Sequence, residues 1–327
     1  MDHHICVTCG AQFAATTKSP PNCPICDDER QYVGHQGQRW TTLTELRRDH
    51  RNTFEDVAPD LTGIATEPRF AIGQQAHLIE TPAGNVLWNC ISLIDDDTVA
   101  GVERRGGLAA IAVSHPHFFT GMAEWSAAFG GVPIYLHADD RAWVTRPDDA
   151  VHYWQGETTD PLSGSGLTLI RCGGHFPGSC VLHWPDGAGA LLTGDTITVV
   201  SDRRWLSFMF SYPNLVPLGA GAIRSIVAAV EPYAFDRLYG VGPGALSPPT
   251  PKRRFAAPLH AMSTALPSNT EAGWPSPWMP ADSGRKSKME RWQRTGHLVP
   301  VLGHSLCLRI GMSLFDGCWG DRARVRR

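Results

Sequence analysis

The sequence lacks any segment suited to crossing or entering a membrane. No stretch approaches the roughly 20 consecutive apolar residues that a bilayer-spanning helix needs. No basic segment followed by an apolar one comes after Met1, as a secretion signal would require. These two absences predict a soluble, cytoplasmic protein without a membrane partner.

The sequence also lacks a strong net charge. Its 29 Lys and Arg residues nearly balance its 32 Asp and Glu residues, for a formal charge of −3. The distribution is uneven, because 13 basic and 5 acidic residues lie from Leu246 onward, whereas 16 and 27 precede it, so that +8 follows −11. A basic tail can indicate a nucleic-acid partner. We expect none here, because the tail has another interpretation, given below.

Four of the nine cysteines fall near the N-terminus in two Cys-x-x-Cys units, and the other five are scattered without pattern. "CVTC" supplies Cys6 and Cys9, and "CPIC" supplies Cys23 and Cys26. In a chain without a secretion signal, such units indicate metal ligands before disulfides, and two of them make a tetrahedral four-sulfur cage. The pattern resembles rubredoxin-like and zinc-ribbon knuckles. We therefore predict that residues 1–35 form a metal-binding knuckle, with zinc or iron as its ion.

The sequence pattern changes near residue 70, between the segment that follows the knuckle and the rest of the chain up to residue 245. Residues 36–69 predict a helical linker, with a helix over "TTLTELRRDHRNTF" at 41–54. From 70 to 245, short apolar strands alternate with helices and turns. This alternation predicts an α/β domain whose chemistry lies at the ends of its strands.

Residues 246–327 form an irregular basic tail. They are rich in Pro, Arg, Ser and Trp without a sustained period, which is typical of disorder. Shifting the reading frame over 244–258, with GC-rich codons, turns that stretch into a good amphipathic helix. We therefore interpret the residues from about Val241 onward as the product of a frameshift, in the gene or in sequencing.

Three predicted strands end in residues able to bind a metal ion. His115 and His117 follow "AAIAVS", His175 lies in "CGGHFPGS", and Asp195 ends "LLTGD". A His-x-His pair on an extended loop points alternate side chains to one side, and an imidazole from a distant strand completes a facial triad. Three neutral imidazoles suit zinc and leave one position open for water.

The order and context of these motifs resemble the metallo-β-lactamase-fold superfamily. Its pattern is an apolar strand, His-x-His-x-Asp-His, a Gly-His in a turn, a strand ending in Gly-Asp, and a last histidine. The resemblance implies a four-layer αβ/βα sandwich with metal in the groove between two sheets. It also implies that His115, His117 and His175 hold the first metal and that Asp195 is the bridging carboxylate.

The sequence departs from this pattern at the second metal. Phe119 and Thr120 stand where the superfamily has an aspartate and a histidine, and the last histidine is missing from "DRLYGVGPG". One carboxylate cannot replace several ligands. We therefore predict a single zinc ion held by three histidines, with Asp195 as a fourth ligand or as an acceptor for bound water.

These residues predict a metal-dependent hydrolase that activates water against a small ester, lactone, thioester or amide-type substrate. Asp195 would orient the nucleophile, and Tyr212 or His183 would protonate the leaving group. Phe119 would make the groove more apolar than is usual.

The segment 201–217, "SDRRWLSFMFSYPNLVP", combines aromatic residues with arginines. Arg203, Trp205 and Tyr212 could clamp an anionic, partly apolar ligand, or the aromatic residues could simply pack onto the domain.

Two other functions stay open at the sequence level. The chain could be a catalytically inactive relative whose metal is structural or holds a ligand. It could also be an electron-transfer protein, since rubredoxin-like iron centres accompany this fold in diiron flavoproteins. Phe119 and Thr120 speak against the second alternative, because they remove the carboxylate-rich diiron site.

Overall fold

The computed structural model of the chain describes residues 1–200 and 205–240. The predicted tail over 246–327, its frameshift interpretation and Arg203 lie outside the described residues. Within the described residues, no helix is long and apolar enough to cross a membrane.

The N-terminal part is a small two-stranded unit followed by one helix. Thr42 and Glu45 form a capping box at the start of that helix, in which each side chain accepts a hydrogen bond from the other residue's backbone N–H. The elements are β1 (His4–Cys6), α1 (Pro24–Asp27), β2 (Trp40–Thr42), which pairs antiparallel with β1, and α2 (Leu43–Asp49).

The prediction of a helical linker over 36–69 is wrong for most of its length. Its helix ends at Asp49, and the residues after it form an antiparallel hairpin of β3 (Arg51–Ala58) and β4 (Leu61–Glu67). The segment contains residues that favour strands, such as Thr53, Phe54 and Val57, and Asp60 turns the chain with a φ of 60°. The large domain therefore begins at Arg51 instead of near residue 70.

A seven-stranded sheet forms the first half of this domain, and its strands neighbour one another in sequence order. The first four are antiparallel, and the later ones are parallel because α3, α4 and a 3-10 helix over Ala138–Trp143 each cross between two of them. After β3 and β4 come β5 (Gln75–Ile79), β6 (Val86–Trp88), α3 (Asp96–Glu103), β7 (Ala110–Ala112), α4 (Met122–Ala128), β8 (Ile134–His137) and β9 (Val151–Trp154).

A five-stranded sheet forms the second half, in the order β10-β11-β12-β13-β18. Its strands are antiparallel except that β18 returns parallel to β13. Two short ribbons and one helix lie between β13 and β18. The elements are β10 (Thr158–Thr159), β11 (Thr168–Arg171), β12 (Cys180–Trp184), β13 (Ala190–Gly194), β14 (Thr198–Val199) with β15 (Leu206–Ser207), β16 (Met209–Ser211) with β17 (Val216–Pro217), α5 (Ala220–Val230) and β18 (Arg237–Gly240).

Three apolar cores stack these elements into four layers. Trp88 and Leu182 belong to the core between the two sheets. Trp125 of α4 belongs to the core on the outer face of the first sheet, and Ile226 of α5 to the core on the outer face of the second. The predicted αβ/βα sandwich is confirmed.

Leu182 offers a test of how much the inter-sheet core contributes to stability. Its side chain is fully buried between the sheets, so we expect Leu182→Ala to lower the free energy of unfolding by about 2–5 kcal/mol. Leu215→Ala is the matched control, because Leu215 is 78% exposed and the same truncation there should cost less than about 0.5 kcal/mol. Denaturant unfolding measures both, and equal costs would contradict the layer assignment.

Candidate metal centres

Three strand ends bring the predicted metal ligands together. His115 and His117 follow β7, His175 lies in the loop between β11 and β12, and Asp195 directly follows β13. The backbone N–H of Cys180 in β12 donates to the carbonyl of Ser114 at 3.0 Å, which ties the two sheets together beside these residues. The three histidines are at most 2% exposed, and the Asp195 side chain is 16% exposed.

One nitrogen of each histidine and one oxygen of Asp195 converge on a common point. Asp195 Oδ2 lies 3.3 Å from His115 Nε2 and 3.7 Å from His117 Nδ1. His175 Nε2 lies 3.8 Å from the same oxygen and 3.2 Å from His117 Nδ1. A tetrahedral zinc ion with bonds of about 2.0–2.1 Å holds its ligand atoms about 3.3 Å apart. The four atoms therefore fit one ion, and we call this set the histidine site.

Hydrogen bonds on the far side of two rings orient their site nitrogens. His175 Nδ1 lies 3.0 Å from the carbonyl oxygen of Met209, to which it donates, leaving its Nε2 unprotonated toward the site. His115 Nδ1 lies 2.8 Å from Ser114 Oγ, and its Nε2 is buried without a hydrogen-bond partner. Such outer partners fix the tautomer and direction of metal-binding histidines, so the donor set suits an ion.

Electrostatics favour the protonation states that metal binding requires. Burial lowers the pKa of His117 and of His175, and the neighbouring imidazoles lower that of His175 further. Burial alone would raise the pKa of Asp195, but the adjacent imidazoles of His115 and His117 hold it well below its usual range. The imidazoles of His117 and His175 are therefore neutral, and the Asp195 carboxylate is charged, near neutral pH.

The four N-terminal cysteines form a second cluster, all of them buried and free. Cys6 Sγ lies 3.5 Å from Cys26 Sγ, and Cys9 Sγ lies 3.6 Å from Cys23 Sγ. Four sulfurs bound to zinc at about 2.3 Å stand about 3.8 Å apart, so this cluster also fits one ion. We call residues 1–35, which carry it, the cysteine knuckle.

Comparison with known proteins places the chain in a family. No family model matches the sequence. It is 50% identical over 244 residues to the uncharacterized protein YmaE of Bacillus subtilis (strain 168), a match covering 73% of this chain and 88% of that protein. The chain belongs to the YmaE family.

Solved metallo-β-lactamase structures are similar to this YmaE-family chain. The DIM-1 enzyme is 15% identical and the match covers 65% of this chain and 95% of that one, with a TM-score of 0.47. The FIM-1 enzyme from Pseudomonas aeruginosa, in its mono-zinc form, is 15% identical over 65% of this chain and 96% of that one, with a TM-score of 0.45. The likeness concerns the fold alone.

The prediction that Phe119 lines the substrate groove is wrong. Phe119 is 2% exposed and belongs to the core between the first sheet and its helices, as do Phe118 and Met122. The prediction assumed an extended loop, whereas a short 3-10 helix over Pro116–Phe118 turns the chain after His115. That turn directs the side chain of Phe119 away from a groove and into the core.

The other predicted site residues fare differently. Tyr212 lies at the site: its ring centre is 5.9 Å from that of His175, and its hydroxyl donates to the Asp195 carbonyl at 2.8 Å. Trp205 is 60% exposed. His183 as leaving-group acid is wrong, because it lies on the exposed side of β12, packs on Tyr233 and has its Nε2 2.9 Å from the Ala234 carbonyl oxygen.

Three residues near the histidine site were not predicted. Phe176 packs against all three histidines, with ring centres 5.0–5.7 Å apart. Arg30 of the cysteine knuckle lies on Phe176 and donates to the backbone of His175. Asp140 accepts a hydrogen bond from Gly178 N at 2.8 Å, and burial raises the pKa of Asp140 to about 6. The position of Phe176 next to His175 was the one sequence signal available; nothing local marked Arg30 or Asp140.

Proposed function

We propose that this chain is a hydrolase that depends on a single zinc ion in the histidine site. The observation that supports the proposal most is the convergence of three imidazole nitrogens and one carboxylate oxygen within 4.8 Å of one another. A single ion is favoured because Phe119, where a second-site ligand would stand, packs in the core.

His115, His117 and His175 would hold the zinc ion, and such an ion would lower the pKa of a bound water to about 7, from about 9 for the aqueous ion, and so make a nucleophile available at neutral pH. Asp195 is the member of the set whose side chain reaches the surface, at 16% exposed. With the three imidazoles as the only protein ligands, its carboxylate would lie beside a water in the fourth position, where it would accept a hydrogen bond from that water and orient it. The three histidines are almost fully buried, so the site is shielded from bulk solvent except at Asp195.

Tyr212 is our candidate for the acid that protonates the leaving group. Burial raises its pKa, and the charge of Asp195 raises it further, so the phenol stays protonated at neutral pH. Its hydroxyl donates to the Asp195 carbonyl and also contacts Thr198 Oγ1, so the phenol would have to turn from that carbonyl toward a bound substrate to protonate its leaving group. A small ester, lactone, thioester or amide-type molecule would have to present its leaving group to this hydroxyl, and the exposed side chain of Trp205 stays a predicted contact for it.

The cysteine knuckle completes the proposal. Its four sulfurs suit zinc or iron, and we propose a structural role for that ion. Free thiolate ligands persist best in a reducing compartment, and we propose the cytoplasm for that reason.

The burial of the histidine site supports a second candidate function. All three histidines are at most 2% exposed, which suits a structural ion or a tightly held ligand without turnover. The chain would then be an inactive relative of the hydrolases of this fold.

Metal analysis combined with an activity panel separates the two candidates. Purified protein is analysed for zinc and iron and tested on esters, lactones and thioesters, before and after chelation and after zinc is returned. We expect turnover that chelation abolishes and zinc restores. Metal retained in the histidine site without turnover would favour the inactive relative. A histidine site that takes no metal would contradict the hydrolase and would leave, of the second candidate, only a metal-free ligand site.

A further inference from the structure

The cysteine knuckle contacts both histidine-bearing segments through two buried or nearly buried side chains. Gln74 reaches from the loop before β5, and Arg30 from the knuckle itself. Each of them holds the backbone carbonyl of a histidine whose ring faces the histidine site. The two metal centres are thus joined by direct contacts.

Gln74 joins the cysteine knuckle to the segment of His117. Its side-chain Nε2 donates to the carbonyl of Cys9 at 2.6 Å and to the carbonyl of His117 at 2.9 Å. The residue is 6% exposed, so no water replaces either bond easily. One amide group therefore holds a cysteine of one centre and a histidine of the other.

The knuckle is closely seated at this contact. Ser92 Oγ donates to the carbonyl of Gly10 at 2.8 Å. Gly10 has a φ of +80°, and a Cβ there would lie 2.6 Å from Ser92 Oγ and 3.3 Å from Gln74 Nε2. Glycine is required both by the backbone conformation and by the lack of space. The position of the knuckle relative to Gln74 is therefore narrowly determined.

Arg30 joins the knuckle to the segment of His175. Its Nε donates to the His175 carbonyl at 2.6 Å, and its Nη1 donates to both carboxylate oxygens of Asp28 at 2.8 and 2.9 Å. The guanidinium carbon lies 4.5 Å from the ring centre of Phe176 and 4.4 Å from that of Phe210. A planar guanidinium held by two rings and a carboxylate has one orientation, which a lysine ammonium could not reproduce.

We propose that Gln74 and Arg30 are positioning residues through which the metal-loaded knuckle sets the metal affinity of the histidine site. The inference rests on the proposed metal role of that site and is independent of hydrolysis. Loss of outer contacts to metal ligands typically costs 10–100-fold in metal affinity. Coupling between binding sites is reciprocal. The factor by which metal in the knuckle raises the metal affinity of the histidine site therefore equals the factor by which metal in the histidine site raises the metal affinity of the knuckle.

Gln74→Glu is the sharpest variant, because it keeps the shape of the side chain and replaces the donating NH₂ by an oxygen facing two carbonyls. We expect the affinity of the histidine site for Zn²⁺ to fall about 10–100-fold in competition titrations against a chromophoric chelator. In the Co²⁺-loaded protein, the thiolate charge-transfer bands report the knuckle, and the weaker ligand-field bands report the histidine site.

Asn85→Asp is the matched control. Asn85 is also 6% exposed, and its Nδ2 likewise donates to two backbone carbonyls, those of Arg105 at 2.8 Å and Gly107 at 3.0 Å. It lies directly before β6, and its side chain holds the loop after α3. Asn85→Asp likewise places a buried carboxylate between two carbonyl oxygens, so it reports the loss of stability that such a substitution causes anywhere in the protein. We expect it to lower the melting temperature and to leave the Zn²⁺ affinity of the histidine site unchanged.

Arg30→Lys tests the second contact and serves if Gln74→Glu does not fold. The positive charge stays, but the planar guanidinium that bonds to the His175 carbonyl and Asp28 and stacks on Phe176 and Phe210 is lost. We expect about a 10-fold loss of Zn²⁺ affinity at the histidine site. Arg105→Lys is its control, because Arg105 stacks on Phe54 at 5.2 Å and pairs with Asp56 at 3.4 Å on the other side of the first sheet.

Wild-type affinity in Arg30→Lys and in folded Gln74→Glu would overturn the proposal. An equal loss of affinity in the two control variants would overturn it as well, since the effect would then reflect general destabilisation. Both readouts are metal affinities, so a protein that turns over no substrate can still support the coupling. An active enzyme can equally well refute it.

Discussion

His117→Ala is expected to empty the histidine site and to abolish turnover while the cysteine knuckle keeps its ion. His117 Nδ1 lies 3.2 Å from His175 Nε2 and 3.7 Å from Asp195 Oδ2, so its removal opens one corner of the ligand set. Three remaining ligands, including a carboxylate, bind zinc with far less geometric restraint. We expect the metal content to fall from two ions to one per chain, and turnover to fall more than about 100-fold, beyond what a lost outer contact costs.

His152→Ala is the control for this variant. His152 is exposed on β9 and its ring stacks on Tyr135 with a centre distance of 5.7 Å. Its loss removes an imidazole from the protein without touching the histidine site. Elemental analysis and steady-state rates are compared for the two variants. Two ions per chain in purified His117→Ala would show that this histidine is not a ligand.

The four residues of the histidine site could be predicted because each follows an apolar strand within a short motif. Strands of a sandwich end at the same edge, so residues just beyond β7, β11 and β13 meet without any long-range information. Their outer contacts could not be found in this way. Arg30 and the carbonyl of His175 are 145 residues apart in sequence, and no local pattern signals that pairing.

The errors in the fold have a similar origin. The helix α2 was predicted from its capping residues, and the capping box between Thr42 and Glu45 confirms that signal. The prediction missed the end of α2 at Asp49, because the polar residues of "RNTF" look like a continuation of the helix. This segment is instead the start of β3. In isolation this segment is ambiguous; pairing with β4 decides it, since hydrogen bonding along the whole hairpin outweighs a weak helical preference.

The position of Phe119 was predicted wrongly because the loop that carries it was assumed to be extended. On an extended loop, alternate residues point to the same side, which would have placed Phe119 with His115 and His117. The 3-10 turn at Pro116–Phe118 breaks that alternation. Pro116 at the first position of the turn is compatible with it, since proline lacks the N–H that an extended pairing would use. Phe176, from another loop, supplies the aromatic surface instead.

Cys9→Ser is expected to release the metal of the cysteine knuckle and to unfold that module. Cys9 is 1% exposed and belongs to a small core made mostly of the four cysteines. Metal binding contributes on the order of 10–16 kcal/mol to the folding of such modules, whereas a whole domain is stable by only about 5–15 kcal/mol. We expect loss of the thiolate charge-transfer bands in the Co²⁺ protein, new proteolytic cleavage within residues 1–35, and a lower melting temperature that chelation changes less than it does in the wild type, because only the ion of the histidine site is left to remove.

Cys90→Ser provides the comparison, because Cys90 is fully buried in the core of the first sheet and lies outside both clusters. A hydroxyl in that core costs about 1–3 kcal/mol, so this variant also melts earlier, yet it should keep two ions and remain sensitive to chelation. The contrast separates loss of a ligand from loss of a buried thiol. Since Cys9 and His117 share the amide of Gln74, Cys9→Ser should also weaken Zn²⁺ binding at the histidine site. A knuckle that keeps its ion without Cys9 would exclude the four-sulfur cage.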